Sequence, residues 1–167
     1  MQIPSMTRRA FTIDEANAML PYVRSTLDRI GLLRDDLRER SDKLAVLDAL
    51  WGSAVEDAKN PDHDEFRGHR RAVAGCAEEI ERLIRDGLIG RNIRFPAGGL
   101  EHGLIDFPTT LDGRWILLCW RYGEREVGFW HELNGGYRGR RPITLSQRAR
   151  LGRPDDPALS DDSPLDF

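Results

Sequence analysis

The stretch that decides the fold runs from Gly103 to Glu132 and reads GLIDFPTTLDGRWILLCWRYGEREVGFWHE. It contains three of the four tryptophans of the chain, and its apolar runs are separated by turn residues. The dipeptide Asp112-Gly113 between two such runs is typical of a two-residue type I′ hairpin. Residues 122–125 read as a four-residue loop. The sequence therefore predicts a three-stranded antiparallel meander over about residues 103–133.

These two turns also predict which residues pair across the strands. The first turn places Asp106 opposite Cys119. The four-residue loop places Leu118 opposite Phe129 and Ile116 opposite His131. Because side chains alternate along a strand, His131 is expected on the face that packs against the helices, away from Asp106.

The other face of the predicted meander holds Trp115, Leu117 and Trp130. This is more apolar surface than the solvated face of a sheet normally carries, so something should cover it. The alternatives are a segment of the same chain (134–151 or 91–102), a second subunit or a ligand. Tryptophan is a common anchor residue in both of the last two cases.

Amphipathic helices account for most of the remaining chain. Thr12 and Glu15 have the spacing of a capping box, and apolar residues follow at steps of three and four. A second apolar stripe follows the turn at residues 60–62, so helices are predicted at about 13–58 and 64–86. Pro21 should interrupt the first of them, with a short helix at 13–20 and a restart. The fold class is therefore predicted as α+β, with a long antiparallel helical hairpin packed on the small meander.

The first helix is longer than a 19.0 kDa globule is wide. From Pro21 to about residue 58 it would approach about 55 Å at 1.5 Å per residue. Unless Gly31 or Gly52 breaks it, such a helix needs a partner outside its own domain.

Length and charge suggest one domain over residues 11–151, between a flexible lead-in (1–10) and a disordered acidic tail (152–167). The net charge is −3, yet the tail alone has one arginine and five aspartates. An arginine-rich strip precedes it, with Arg138, Arg140, Arg141, Arg148 and Arg150. Genomic base composition is the simpler explanation of this strip. The alternatives are an acidic tail that folds back over the strip and RNA binding by its arginines. No membrane-length apolar run or secretory signal occurs, so a cytoplasmic location is expected.

Four residues could carry chemistry: His131, Glu132, Asp106 and Glu124. A carboxylate beside an imidazole is suited to acid–base work or metal binding. The predicted register, however, separates His131 from Asp106 and Glu132, and it leaves Glu124 in a distant turn. No metal site or cofactor is therefore predicted, and both cysteines are expected to be reduced and packed.

Several motifs together resemble a known family. They are FTIDEANAMLP (residues 11–21), GLIDFP (103–108), DGR (112–114), LCWRYGE (118–124), WHEL (130–133) and GRRPI (139–143). In this order they resemble family 2203 of the bacterial and archaeal domains of unknown function. The resemblance covers about residues 11–143 and implies no activity, so it assigns no catalytic residue.

The leading functional hypothesis is a non-enzymatic binding or assembly module. The over-long helix and the aromatic face favour a homo-oligomer, or a protein partner, contacted through the helix or through Trp115, Leu117 and Trp130. One alternative is a small metal-assisted enzyme that uses His131 with Glu132 or Asp106. The second alternative is an RNA-associated protein that uses the arginines from Arg138 to Arg150.

Overall fold

The computed structural model describes residues 9–160 and shows an α+β fold. The first half is helical and the second half contains a four-stranded antiparallel sheet of strand order β1-β2-β3-β4. The elements are α1 (Ile13–Trp51), α2 (His63–Arg82), β1 (Leu104–Leu111), β2 (Arg114–Arg121), β3 (Phe129–His131), β4 (Arg141–Pro142) and α3 (Leu145–Arg148). The predicted class and helical hairpin are confirmed, but the sheet has four strands where the sequence predicted three.

Helix α1 begins at the predicted capping box. The backbone N–H of Glu15 donates to Thr12 Oγ1 over 3.1 Å, and the N–H of Thr12 donates to Glu15 Oε2 over 3.0 Å. The helix then continues for 39 residues through Pro21, so the predicted restart there is wrong. A proline inside a helix removes one backbone hydrogen bond and costs about 3 kcal/mol, which burial of Ala16, Leu20 and Val23 on either side of it offsets. A 3₁₀ segment, Gly52–Glu56, follows its end at Trp51.

The chain divides into two compact units. One comprises Ser25–Gly87, and the other comprises the residues up to Arg24 together with those from Leu88 onward. The predicted boundaries of one domain over residues 11–151 do not coincide with these units, and that organisation stays a prediction. Most of the predicted lead-in lies outside the described residues. Within residues 9–160 no helix is both long enough and apolar enough to cross a membrane.

The unit Ser25–Gly87 is the helical hairpin. Contacts between its arms show that they run antiparallel, since residues later in α1 meet residues earlier in α2. Arg29 Nε donates to Glu79 Oε1 over 2.9 Å, Cys76 Sγ to Asp36 Oδ2 over 3.3 Å, and Trp51 Nε1 to Asp62 Oδ2 over 2.7 Å. Helix α2 ends at Arg82, and a π-helical stretch, Leu83–Leu88, continues it.

The other unit is built on the β1–β2 hairpin. Asp112 and Gly113 have φ values of 52° and 85°, as a type I′ turn requires, and Leu111 pairs with Arg114 as predicted. Phe11, which precedes α1, packs on one face of this hairpin. The rings of Phe11 and Phe107 meet edge to face at 5.3 Å, and Thr109 Oγ1 donates to the Phe11 carbonyl over 2.6 Å.

Residues 152–160 pack against this sheet unit, although the sequence predicted a disordered tail from residue 152. The N–H of Gly152 donates to the Thr110 carbonyl over 2.9 Å. The Asp156 carboxylate accepts hydrogen bonds from the N–H groups of Gly113 and Ala158, over 3.1 Å and 2.9 Å. The prediction is therefore wrong for residues 152–160, and residues 161–167 lie outside the described part of the chain.

Candidate functional site

The pairing of β2 with β3 decides which side chains can form a site. The structure pairs Leu118 with Trp130 and Leu117 with His131. The predicted register, Leu118 with Phe129 and Ile116 with His131, is wrong by one residue. The connection from Arg121 to Phe129 covers residues 122–128, so it is longer than the predicted four-residue loop. Since side chains alternate, a shift of one residue moves every β3 side chain to the opposite face.

This shift brings His131 to the same face as Asp106, where the sequence analysis had separated them. His131 Nε2 lies 3.2 Å from Asp106 Oδ1. Cys119, which pairs directly with Asp106 across β1 and β2, completes a group of three. The ligand atoms of these three residues all lie within 4.8 Å of one another. We call Asp106, Cys119 and His131 the buried triad.

The buried triad is almost closed to solvent. The exposed fractions of Asp106, Cys119 and His131 are 3%, 1% and 2%. Ionisable groups are seldom buried to this extent unless they are paired or bind a metal. The burial of Asp106 and His131 must therefore be compensated by specific contacts, and the hydrogen bonds of His131 show which contacts these are.

Both ring nitrogens of His131 face oxygen atoms. Nδ1 lies 2.7 Å from the Glu132 carbonyl oxygen, which can only accept, so Nδ1 carries a proton. Nε2 faces the Asp106 carboxylate, which also only accepts when it is ionised. A proton, carried by either partner, or a metal ion must therefore lie between Nε2 and Oδ1.

Contacts within the buried triad shift the pKa values of Cys119 and His131. Burial, together with the negative charge of Asp106, raises the pKa of the Cys119 thiol far above its usual range. Burial by itself would lower the pKa of His131. The hydrogen bonds to the Asp106 carboxylate and the Glu132 carbonyl outweigh that effect and raise it. The triad thus holds a neutral thiol beside a hydrogen-bonded imidazole and carboxyl group.

Glu124 and Glu132, the two other predicted candidates, lie outside the triad. Glu124 accepts from Arg140, whose Nη2 lies 2.7 Å from both of its carboxylate oxygens. Glu132 pairs with Arg114, with Nη1 and Oε1 2.6 Å apart. Only its backbone carbonyl reaches His131. Of the three predicted acidic candidates, Asp106 alone belongs to the site.

The Arg140–Glu124 pair forms a second, adjoining polar cluster. The Arg140 side chain is only 9% exposed and stacks over the Phe129 ring, 4.0 Å from its centroid. The same guanidinium lies 5.0 Å from the Tyr137 ring centroid. Arg140, which the sequence predicted as a surface contact, is therefore committed to an internal ion pair with planar stacking.

The predicted aromatic surface is not exposed as one patch. Trp115, Leu117 and Trp130 are 8%, 5% and 4% exposed. Trp115 and Leu117 share the face of the triad, whereas the register places Trp130 on the opposite face. The indole N–H of Trp115 donates to the Ala158 carbonyl over 3.1 Å. The cover over Trp115 thus comes from the same chain, but from residues beyond the two segments that the sequence suggested.

The arginines near Trp130 have partners too. Arg114 and Arg141 lie over its ring, at 5.6 Å and 5.2 Å from the centroid. Arg150 pairs with Asp112. Arg138 is exposed in the middle of the short 3₁₀ turn Tyr137–Gly139. The predicted arginine strip is therefore divided among several separate contacts.

Sequence reasoning missed Cys119 as a site residue. The signal was available, because the hairpin at Asp112-Gly113 already places Cys119 opposite Asp106. What hid the triad was the position of His131, which depends on the conformation of residues 122–128 and not on any turn motif. A cysteine beside a buried aspartate was interpreted as simple packing.

Large apolar side chains are exposed on the hairpin unit instead. Leu32, Val46 and Leu50 of α1 are 64%, 58% and 67% exposed. Their spacing places them along one stripe of the helix, with Glu39 and Lys43 between them. We call these five residues the α1 stripe. It contains three of the four most exposed large apolar side chains among the described residues.

The fold and the triad define a class: small α+β proteins in which a helical hairpin accompanies an antiparallel sheet that buries an Asp–Cys–His group. The particular family follows from comparison with known proteins. The chain belongs to the family described as "Uncharacterized conserved protein (DUF2203)", which matches residues 9–143. This confirms the resemblance of its motifs. No curated protein and no solved structure gives a significant match.

Proposed function

We propose that this protein is a self-associating assembly module that binds a second copy of itself through the α1 stripe. The observation that carries the proposal is the exposure of Leu32, Val46 and Leu50 on one long helix. Exposed apolar side chains that line up along a helix are typical of helix–helix interfaces. The proposal keeps the self-association expected from the sequence, but it moves the contact surface from the tryptophans to α1.

The spacing of the stripe favours an antiparallel pair. Residues 32, 39 and 46 and residues 36, 43 and 50 form two interleaved rows with a period of seven. If two α1 helices cross antiparallel about Ser41, Leu32 of one copy lies opposite Leu50 of the other. Glu39 then lies opposite Lys43 of the second copy, twice by symmetry. The stripe is therefore self-complementary in charge as well as in apolar character.

The expected association is weak. Leu32 to Leu50 covers about 27 Å of helix at 1.5 Å per residue, which is short for a stable interface. Asp36 would lie opposite Val46 and add little to the affinity. A groove of about 350 Å³ beside the stripe increases the available contact surface. It is lined by Glu39, Asp42, Lys43, Val46, Leu47 and Glu65. We expect a dimer that dissociates in the micromolar range.

Charge reversal tests both the interface and its direction. Sedimentation equilibrium of the full chain measures the dimer dissociation constant. Glu39→Lys and Lys43→Glu should each weaken the dimer about tenfold, since two symmetric pairs of roughly 0.2–1 kcal/mol each become repulsive. The double variant Glu39→Lys/Lys43→Glu should restore the wild-type constant. Glu39 and Lys43 also pair within each helix, with Nζ and Oε1 2.8 Å apart. That internal pair is present in monomer and dimer alike, so restoration of the dissociation constant reports on residue 39 facing residue 43 of the other copy.

Two further variants separate this interface from general surface effects. Leu50→Glu should abolish the dimer, because it places a charge at an apolar contact. Leu145→Glu is the matched control: Leu145 is 86% exposed but lies on α3, so the dissociation constant should not change. A wild-type chain that stays monomeric at several hundred micromolar would disprove the proposal. A dimer that the double charge reversal fails to restore would disprove the antiparallel arrangement.

The two alternative functions have less support. The 2–3% exposure of Asp106 and His131 leaves little room for a substrate at these side chains. Arg140 and Arg150 are paired with Glu124 and Asp112, which weakens the case for RNA binding by the arginine strip. We retain the cytoplasmic location expected from the sequence as part of the proposal. The free thiols of Cys76 and Cys119 are compatible with a reducing compartment.

A further inference from the structure

We propose that Asp106, Cys119 and His131 form a binding site for one divalent metal ion of the zinc class. The donors would be a carboxylate oxygen of Asp106, the Cys119 sulfur and His131 Nε2. The sequence pattern predicts no metal site, because the register inferred from it places His131 on the wrong face. This inference is independent of the proposed self-association.

The distances fit such a site. Ligand atoms around a tetrahedral zinc ion lie about 3.5 Å from one another, given metal–ligand bonds of about 2.0–2.3 Å. The three ligand atoms of the triad already lie within 4.8 Å of one another, and Nε2 and Oδ1 are 3.2 Å apart. Small side-chain rotations would bring all three into bonding distance without any movement of the strands.

His131 is oriented as metal-binding histidines usually are. A histidine ligand generally donates its other ring N–H to a carboxylate or a backbone carbonyl, which fixes the tautomer. The Glu132 carbonyl, 2.7 Å from Nδ1, occupies this position. Nε2 then has a free lone pair, with Asp106 Oδ1 3.2 Å away and Cys119 Sγ within 4.8 Å. A metal ion bound by these atoms would take the place of the proton between Nε2 and Oδ1.

Charge balance also suits a divalent ion in this buried place. In the bound form the ligands would be the Asp106 carboxylate, the Cys119 thiolate and the neutral imidazole of His131, and the thiol proton of Cys119 would be released to solvent. The two charges of the ion would then be compensated by the carboxylate and the thiolate. The net charge of the occupied site is zero, so the ion adds no uncompensated charge to the interior.

The donor set selects the class of metal. Thiolate and imidazole together suit zinc, cobalt and related ions, whereas magnesium and calcium prefer all-oxygen sites. Three protein ligands leave a fourth position for a water molecule or another small ligand. The exposed fractions of 3% or less indicate that the ion would enter while the chain folds.

Cobalt is the probe, because a cobalt–thiolate bond gives a characteristic near-ultraviolet charge-transfer band. The full chain, free of any affinity tag, is unfolded and then refolded with Co²⁺. We expect one equivalent of bound cobalt and this band in the wild type. Cys119→Ser should abolish the band. Cys76→Ser is the matched control, since Cys76 is also a buried free cysteine but contacts Asp36 in the hairpin unit.

Zinc binding to the wild type gives a second test that requires no variant. Zinc at a hundredfold excess over its dissociation constant should raise the melting temperature by roughly 5–10 °C. A wild-type chain that shows neither the thiolate band nor this shift would overturn the proposal. So would a band that persists in Cys119→Ser and disappears in Cys76→Ser.

Discussion

Replacing Asp106 with alanine should destabilise the sheet unit strongly. Asp106 is 3% exposed and is the partner of His131 Nε2 at 3.2 Å, so its removal leaves an imidazole buried beside an empty space. Breaking a buried ion pair by removing one partner costs about 3–5 kcal/mol. For a chain of this size, that corresponds to a fall in melting temperature of roughly 6–20 °C.

The assay should report on the sheet unit alone. Trp115, Trp120 and Trp130 lie in that unit, whereas Trp51 lies in the hairpin unit. A Trp51→Phe background therefore makes tryptophan fluorescence specific for unfolding of the sheet unit in denaturant. A chelator in all samples removes any contribution of bound metal to the free energy of unfolding.

A double-mutant cycle separates the ion pair from the loss of packing. His131→Leu should lower the free energy of unfolding about as much as Asp106→Ala does. The double variant should lower it by at least about 2 kcal/mol less than the sum of the two single effects, because no unpaired charge remains. Thr110→Val is the control on the same strand and face. Its hydroxyl is buried without a hydrogen-bond partner among the described residues, so this variant should be neutral or slightly stabilising. Additive effects within about 0.5 kcal/mol would refute the pairing of Asp106 with His131.

Two further predictions concern the segment that covers the sheet. Gly152 has a φ of 64°, and a Cβ there would lie 2.4 Å from the Phe11 carbonyl oxygen, so Gly152→Ala should lower the free energy of unfolding by more than about 1 kcal/mol. Gly31 lies within α1 with open space around it, so Gly31→Ala should raise the free energy of unfolding by about 0.5–1 kcal/mol, as measured by thermal unfolding. If Gly152→Ala and Gly31→Ala have equal effects, this reasoning is wrong. Asp156→Ala should lower the free energy of unfolding by about 1–3 kcal/mol, because the N–H groups of Gly113 and Ala158 lose their acceptor. The same variant should increase the quenching of Trp115 fluorescence by acrylamide. Unchanged quenching would show that residues 157–160 do not protect Trp115.

Local signals predicted the elements of the fold well. The capping box of Thr12 and Glu15 marked the start of α1, and Asp112-Gly113 defined both the first hairpin and its register. Each of these signals involves residues within four positions of one another, where backbone geometry leaves few choices. The fourth strand, Arg141–Pro142, is two residues long and carries no such signal.

Long-range packing decided what local signals left open. Pro21 is compatible with a continuous helix or with a break, and the structure has the continuous helix. The acidic composition of residues 152–160 suggested disorder, but Asp156 and Ala158 make their hydrogen bonds with residues more than 40 positions away. Composition describes the average preference of a segment and does not show that particular acceptors lie within its reach.

The sequence by itself therefore determined that residues 103–132 form an antiparallel meander in which Asp106 faces Cys119. Only the tertiary structure decided where His131 lies, because the seven residues 122–128 do not dictate whether β3 is displaced by one position. Side chains alternate between the two faces of a strand. A shift of one residue in the β2–β3 register therefore changes which side chains share a face. In the predicted register, Trp115 and Trp130 share a face. In the observed register, Trp130 lies on the opposite face, and His131 meets Asp106 and Cys119 in the core.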